Sequence, residues 1–361
     1  MPEIDVTVVV PCYNTANYLD QCLASIEKNT MAALEILVIN DGSTDDSLAI
    51  MRSHEQLDSR VRVIDKPNQG YGATVNRGFD EARGTYVAIV EPDDYLDPGM
   101  YDALFSLARK KGFPDIVKSS YWRLVMSGTP KERRLHCWYY KRIKPKTQPF
   151  TLLQAPRLIQ YHPSIWSALY RRDFLEAHNI RLHEEPGAGW VDNPFLMDTM
   201  LSARTIVYTD KAFYCYREDL ASASSAKRTT VLSLTRWNDM ADIVDAHQVA
   251  DFEILHAFYV VGFNYVAHAV SAGALKNEDE LKLIKRVFKR MDPAVVEKMD
   301  DISPERLELY SQLTARPLPS VSKASYLRAR AADFIYAVRT NGIGFACSLI
   351  GVYFSRFEQG E

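Results

Sequence analysis

Apolar residues come in short unbroken runs over the first hundred positions and in a helical period beyond about position 225. Val6 to Val10, Glu35 to Ile39, Val61 to Ile64 and Val87 to Val90 are the runs. Largely lacking the in-out alternation of half-buried strands, they fit strands covered on both faces of a parallel sheet. Between them the period changes to that of a helix. Leu19, Cys22, Leu23 and Ile26 share one face of Asn17 to Asn29. Ser43, with Asp46 three residues on, resembles a capping box opening a second helix, and Thr74 to Ala82 reads as a third. Such alternation predicts a mostly parallel, doubly wound α/β sheet whose right-handed crossovers gather the strand ends on one rim. Further on, Leu281, Ile284, Val287, Phe288 and Met291 fall on one helical face, and Pro304, Pro317 and Pro319 separate further helices. We therefore expect an α/β domain over residues 1–225 and a mainly helical region over 226–361.

The predicted rim is rich in chemistry. Pro11, Cys12, Tyr13 and Asn14 follow the first strand, Asp41 the second, and Asp65 and Lys66 the third. Glu91, Asp93 and Asp94 crowd the end of the fourth, which Pro92 terminates because it has no N–H and a fixed φ. Acids packed this closely cost several kcal/mol if buried without partners, and a bound divalent cation removes that cost. A solvated acidic turn ahead of a helix near Pro98 is the plainer alternative. A ring at Tyr13 can stack on a base, Asp41 can accept from a ring N–H, and a carboxylate-held Mg²⁺ can neutralise a diphosphate.

Composition narrows the classes. A net charge of −3 argues against a general nucleic-acid binder. Five cysteines without a CxxC pair fit free thiols in a reducing compartment. The opening MPEIDVTVVV lacks the basic start of a signal peptide, and no apolar run reads as long enough to span a bilayer. The expected location is the cytoplasm, with the apolar tail from Tyr326 to Phe357 either packed on protein or touching the inner face of a membrane. No GxGxxG follows the first strand and no HExxH occurs, against a dinucleotide oxidoreductase and a zinc hydrolase. A nucleotidyltransferase would need a glycine-rich phosphate loop where this chain has PCYN.

Four motifs in one order, VVVPCYN (Val8 to Asn14), INDGSTDDS (Ile39 to Ser47), NQGYGATVNRG (Asn68 to Gly78) and VEPDDYL (Val90 to Leu96), resemble the signature of the GT-A-fold, family 2 inverting glycosyltransferases. The resemblance covers about residues 4–225. It implies a Rossmann-like GT-A fold, a nucleotide-sugar donor that is most often a UDP-sugar, and a Mg²⁺ or Mn²⁺ ion. It also implies a glycan or lipid-linked acceptor in bacterial surface-polysaccharide synthesis. By position, Pro11, Tyr13, Asn14 and Asp41 would hold the nucleotide and Asn68, Gly70 and Asn76 would shape its loop. Glu91 would lie near the ribose and Asp93 would ligate the metal. Asp192, ahead of a helix containing Pro194, matches the general base, although Val191 replaces the usual preceding Glu. Arg217 and Ser222 match an element that closes over the diphosphate. Trp166, in a segment resembling the floor of the acceptor cleft, and Trp190 are the acceptor candidates.

Two features remain open in the sequence. Residues 121–148 hold seven basic side chains between Lys131 and Lys146 against the single acid Glu132, which reads as a solvated loop or as a hairpin meeting an anionic acceptor or a membrane. Glu91 for the usual Asp, Pro92 and Val191 together motivate the rival reading of a non-catalytic nucleotide-sugar-binding or scaffold subunit. The helical tail is the candidate surface for a homo-oligomer.

Overall fold

The structure, a computed structural model, describes residues 4–218, 230–318 and 323–348. The chain divides into two compact units, Met1–Leu158 with His162–Ala226, and Ile159–Tyr161 with Lys227–Glu361.

In the first unit, β1 (Val6–Cys12), α1 (Ala16–Glu27), β2 (Leu34–Asp41), α2 (Ser47–Leu57), β3 (Val61–Lys66), α3 (Tyr71–Glu81) and β4 (Tyr86–Ile89) alternate as the apolar runs predict. β1, β2 and β4 are buried along their whole length, which is why they carry no alternation. They pair in parallel in the order β3-β2-β1-β4. The chain continues through β5 (Tyr95–Leu96), α4 (Met100–Lys110), β6 (Ile116–Val125), β7 (Arg133–His136), β8 (Ala168–Arg171), α5 (Arg172–Ala177), α6 (Asp192–Ser202) and β9 (Ile206–Arg217). These strands extend the sheet as β4-β8-β6-β9-β5, with β7 on β6. This half is mixed: β8 runs antiparallel to β4 and β6, β5 to β9, and β7 to β6, while β6 and β9 are parallel. Antiparallel partners need no helical crossover, so the sequence there lacks the strand-helix rhythm of the first half.

The capping box expected at Ser43 and Asp46 does not form. Asp46 precedes α2 without a side-chain cap. Its neighbour Asp45 accepts instead from Ser47 N and from Ala16 N, tying the start of α2 to the start of α1. Ser43 is taken by Asn14, whose backbone N–H donates to Ser43 Oγ at 3.0 Å. The basic run also divides. Arg133 and Arg134 lie in the β6–β7 hairpin, where Arg134 pairs with Leu124, itself paired with Arg217 on the other side. Residues near 148–150 instead run beside the opposite end of β9, with Phe150 bridging Ile206. The run is therefore not one continuous flap.

The second unit contains α7 (Thr230–Ala246), α8 (Phe252–Ser271), α9 (Glu278–Arg290), α10 (Pro293–Val296), α11 (Pro304–Thr314) and α12 (Lys323–Asn341). Ile284, Val287, Phe288 and Met291 are buried as their spacing predicts, and Phe263, Phe288 and Tyr310 form one ring cluster. Trp237 stacks on Phe258 at 4.5 Å. One helix corrects the expectation about spanning runs, since α8 is long and apolar enough to cross a membrane by length and composition. Most of that helix is buried inside the protein. His256, Asn264 and His268 interrupt its apolar letters and hid its length. Of the apolar tail, residues 349–361 lie outside the described residues.

Candidate active site

The rim forms where the parallel strands end. Tyr13, just past β1, is 51% exposed, so its ring is accessible to a ligand. Asp41, at the end of β2, is buried and organises the next loop: Gln69 N donates to its Oδ1 at 2.9 Å and Gly70 N to its Oδ2 at 3.0 Å. The Lys66 ammonium also donates to Oδ1. A carboxylate has about four acceptor positions, so Oδ2 retains one for a further donor. Asn68 joins this loop by donating from Nδ2 to the Asp41 carbonyl. Asn14 works locally, its Oδ1 accepting from Thr44 N at 2.8 Å. Pro11 is buried within β1.

Loop 66–72 is closed from the far side by residues 182–187. Gly70, at φ +91°, lies so close to Glu185 that a Cβ would meet its carbonyl oxygen at 2.1 Å, and at Gly72 a Cβ would meet the His183 oxygen at 1.9 Å. Only glycine permits this approach. Asn76 was expected to shape the nucleotide loop, but it is buried against the other segment. Its Nδ2 donates to Leu182 O and Glu184 Oε1, and its Oδ1 accepts from Leu182 N. The side chain leaves α3 toward residues 182–184, the segment that Gly72, one turn earlier on the helix, also meets.

The acids after β4 do not converge as a cage. Asp94 is turned inward, 1% exposed, accepting from Arg217 N at 2.7 Å and from Tyr214 Oη at 2.9 Å. It clips β9 to the end of β4. Glu91 accepts from Tyr71 Oη at 2.5 Å, and burial, opposed by that hydrogen bond and reinforced by the charges of Asp93 and Asp192, pushes its carboxyl up to about 8. Tyr71 and Tyr214 carry this arrangement, and neither was singled out from sequence. Tyr71 lies inside the NQGYGATVNRG motif, and Tyr214 lies three residues before Arg217 on β9.

Asp93 is left as the open acid of the three. Burial pushes its carboxyl up, against its own backbone N–H and the Arg217 charge. Among the described residues no three His, Cys, Asp or Glu side chains group closely enough to hold a metal by themselves. A single available carboxylate nonetheless suits Mg²⁺ or Mn²⁺, which are commonly bound by one or two carboxylates completed by phosphate and water. Arg217 stands beside it, buried, donating through Nη1 to the Asp93 carbonyl and through Nη2 to Gln21 Oε1. The rings of Tyr18 and Tyr95 lie 5.2 and 4.9 Å from its guanidinium. It is no surface ion pair. Ser222 lies outside the described residues.

Asp192 is the first residue of α6, following Trp190 at φ +54°. Asn193 Nδ2 donates to its Oδ1 at 3.0 Å. Its charge is felt at Glu91, Tyr71 and Tyr216, which sets it in the same cleft as the rim acids. Trp190 is half-buried. Trp166 is not available to a sugar face, being 3% exposed and stacked 3.9 Å from Tyr214. It supports the cleft from beneath.

Residues 7–178 match the family described as glycosyl transferase family 2. The uncharacterized glycosyltransferase EpsJ of Bacillus subtilis is 29% identical over 223 residues, 59% of this chain and 61% of EpsJ. Glycosyltransferase GlyA of Streptococcus pneumoniae is 30% identical over 215 residues, 59% of this chain and 30% of GlyA. The chain thus spans less than two thirds of the length of these relatives. Among solved structures, residues 1–349 of S. aureus TarS in complex with UDP superpose with a TM-score of 0.67 at 18% identity, covering 94% of this chain and 92% of that one. A mannosyltransferase from Pyrobaculum calidifontis, in complex with GDP-Man and Mn²⁺, gives 0.50 at 16% identity, covering 99% and 88%. These superpositions agree with the GT-A arrangement of sheet and helices.

Proposed function

We propose that the chain, whose residues 7–178 match glycosyl transferase family 2, is an inverting, metal-dependent enzyme moving a sugar from a UDP-sugar to a hydroxyl of a glycan or lipid-linked acceptor. The reading extends to surface-polysaccharide synthesis in the cytoplasm, where five cysteines, none of them in a disulfide, stay reduced. One observation carries it: Asp93 and Arg217 stand side by side, Asp192 lies close enough for its charge to act on Glu91, and Tyr13 is exposed just past β1. TarS was solved with UDP and the Pyrobaculum enzyme with Mn²⁺, which supports a nucleotide and a divalent ion here.

In this reading Tyr13 stacks on the base and the remaining position on Asp41 Oδ2 accepts its ring N–H. Asp192 takes the proton from the acceptor hydroxyl. The oxygen then attacks the anomeric carbon as the bond to the diphosphate breaks, and UDP departs. The Arg217 guanidinium, held rigid by Gln21 and two rings, meets the charge that grows on the leaving phosphate. A Mg²⁺ or Mn²⁺ ion on Asp93 would supply further charge neutralisation there. Glu91, largely protonated at neutral pH, adds no full negative charge beside the donor.

Asp192→Asn tests the assignment. UDP binding, followed by thermal shift with MnCl₂, is expected to persist, while UDP release from a panel of UDP-sugars with acceptor falls about 10² to 10⁴-fold. Full turnover by the variant would refute the base.

A further inference from the structure

We propose that His162 and Tyr216 form the acceptor subsite, one that binds an uncharged sugar ring beside Asp192; this rests on the glycosyltransferase reading and adds the chemistry of the acceptor. Tyr214 and Tyr216 project from the same face of β9, as alternate residues of a strand do. Beneath them Trp166 stacks on Tyr214 and lies 5.3 Å from Tyr216. His162 lies 5.0 Å from the Tyr216 ring. Both side chains are half-buried.

The hydroxyls around the cleft differ in one respect. Tyr71 Oη is spent on Glu91, Tyr214 Oη on Asp94 and Tyr139 Oη on Ser164. Tyr216 Oη makes no hydrogen bond among the described residues, although the ring sits within the field of Asp94, Glu218, Asp93 and Asp192. His162 is similar. Its Nδ1 accepts from Ser164 N at 3.0 Å, which places the proton on Nε2, and that N–H has no partner among the described residues. Two donors without a partner among the described residues therefore lie together above Trp166, with Tyr216 within range of the Asp192 charge. Ring oxygens and hydroxyls of a pyranose accept from such donors while its C–H face covers the open part of the Tyr216 ring.

The surrounding charges select against a phosphate in this position. Arg123 is committed to Glu218 by two bonds of 2.8 Å. Lys118 is fully buried and spends its ammonium on Ser164 O, Ser164 Oγ and Ser167 Oγ. These bonds hold the Ser164 turn, at φ +40°, and with it the His162 ring. Burial, with Lys118 and Arg123, holds the imidazole down to about 4, so His162 offers one N–H and no positive charge at neutral pH.

The test is saturation-transfer NMR on the full chain with UDP and MnCl₂ present. The probes are the p-nitrophenyl β-glycosides of glucose, galactose and N-acetylglucosamine, with glucose 6-phosphate as the charged comparison. At least one neutral glycoside is expected to bind the wild type. Tyr216→Phe, which loses a hydroxyl that bonds nothing among the described residues, and His162→Ala should each weaken it about tenfold and leave UDP saturation unchanged. Glycoside binding unaffected by both variants would overturn the subsite. So would no glycoside binding by a wild type that still binds UDP, or tighter binding of glucose 6-phosphate than of every neutral probe. Failure to bind UDP itself would refute the donor reading, and the subsite with it.

Discussion

Asn76→Ala separates the duty that the motif suggests from the duty that the structure gives. Asn76 is 5% exposed and Leu182, its partner, 2%. Removing the amide strips Leu182 N and Leu182 O of their partner at 2.9 Å. Glu184 Oε1 loses its 3.0 Å bond. Each buried backbone group left unpaired costs about 1–3 kcal/mol; because Glu184 is exposed and can turn to water, it adds little. The sum is about 3 kcal/mol, which for a unit of this size lowers Tm by about 6–12 °C. The segment released is the one that packs on Gly70 and Gly72 and leads into α6. Turnover should therefore fall more than stability alone predicts at a temperature where the variant stays folded. UDP affinity, measured by titration calorimetry at the same temperature, should change less than threefold, since the Asn76 side chain hydrogen-bonds residues 182–184 rather than residues 66–70. A variant that kept its turnover and lost UDP affinity would refute the reasoning and restore Asn76 to the nucleotide loop.

Two other tests probe charge. UDP at about 100 times its Kd stabilises a protein by about 2.7 kcal/mol; this gain should shrink in EDTA for the wild type, and Asp93→Asn should give the same small gain with MnCl₂ as with EDTA. An undiminished effect of MnCl₂ in the variant would exclude Asp93 as the ligand. In the second unit, burial alone would lower the His256 imidazole, but the hydrogen bond and charge of Asp301 at 3.0 Å raise it on balance. A raised imidazole contributes stability that is fully present below its ordinary value near about 6.5 and is lost as pH rises through the higher folded value. His256→Gln should cost about 1 kcal/mol at pH 5.5 and progressively less towards pH 8, as read by denaturant titration; a cost that grew with pH would show the sign to be wrong.

The parallel half of the sheet was legible because burial on both faces writes itself into the sequence as unbroken apolar runs. Boundaries followed to within a few residues. The mixed half was not, since β5 has two residues and β7 four, too few to establish a period. The Ser43 capping box failed for a tertiary reason: Asn14 claims the hydroxyl from another element, and propensity cannot see a competitor that folding brings in. Trp166 showed the same limit. An aromatic residue amid polar letters looks like a sugar platform until its faces are found to be covered, whereas Tyr216, two residues from Tyr214 on one strand, drew no notice because alternation is what every strand does.

The acids around the cleft make the general point. In sequence Glu91, Asp93 and Asp94 form one cluster with one apparent remedy, a cation. In space they meet different partners: Asp94 takes a tyrosine hydroxyl and the backbone N–H of Arg217, and Glu91 takes Tyr71 and retains a proton near neutrality. Of the three, Asp93 accepts only from its own backbone N–H among the described residues, which is why it is the one proposed to hold the ion. Asp192 starts a helix, where the backbone dipole favours the charged form by about 0.3–1 kcal/mol. Repulsion within the cluster is thus divided by local partners before any ion arrives. The consequence concerns Arg217, whose backbone is fixed by Asp94 and whose guanidinium is fixed by the Asp93 carbonyl. In the proposed mechanism the guanidinium that meets the leaving group is positioned by Asp94, an acid assigned no contact with the donor, which ties the geometry of charge stabilisation to the pairing of β9 with the end of β4.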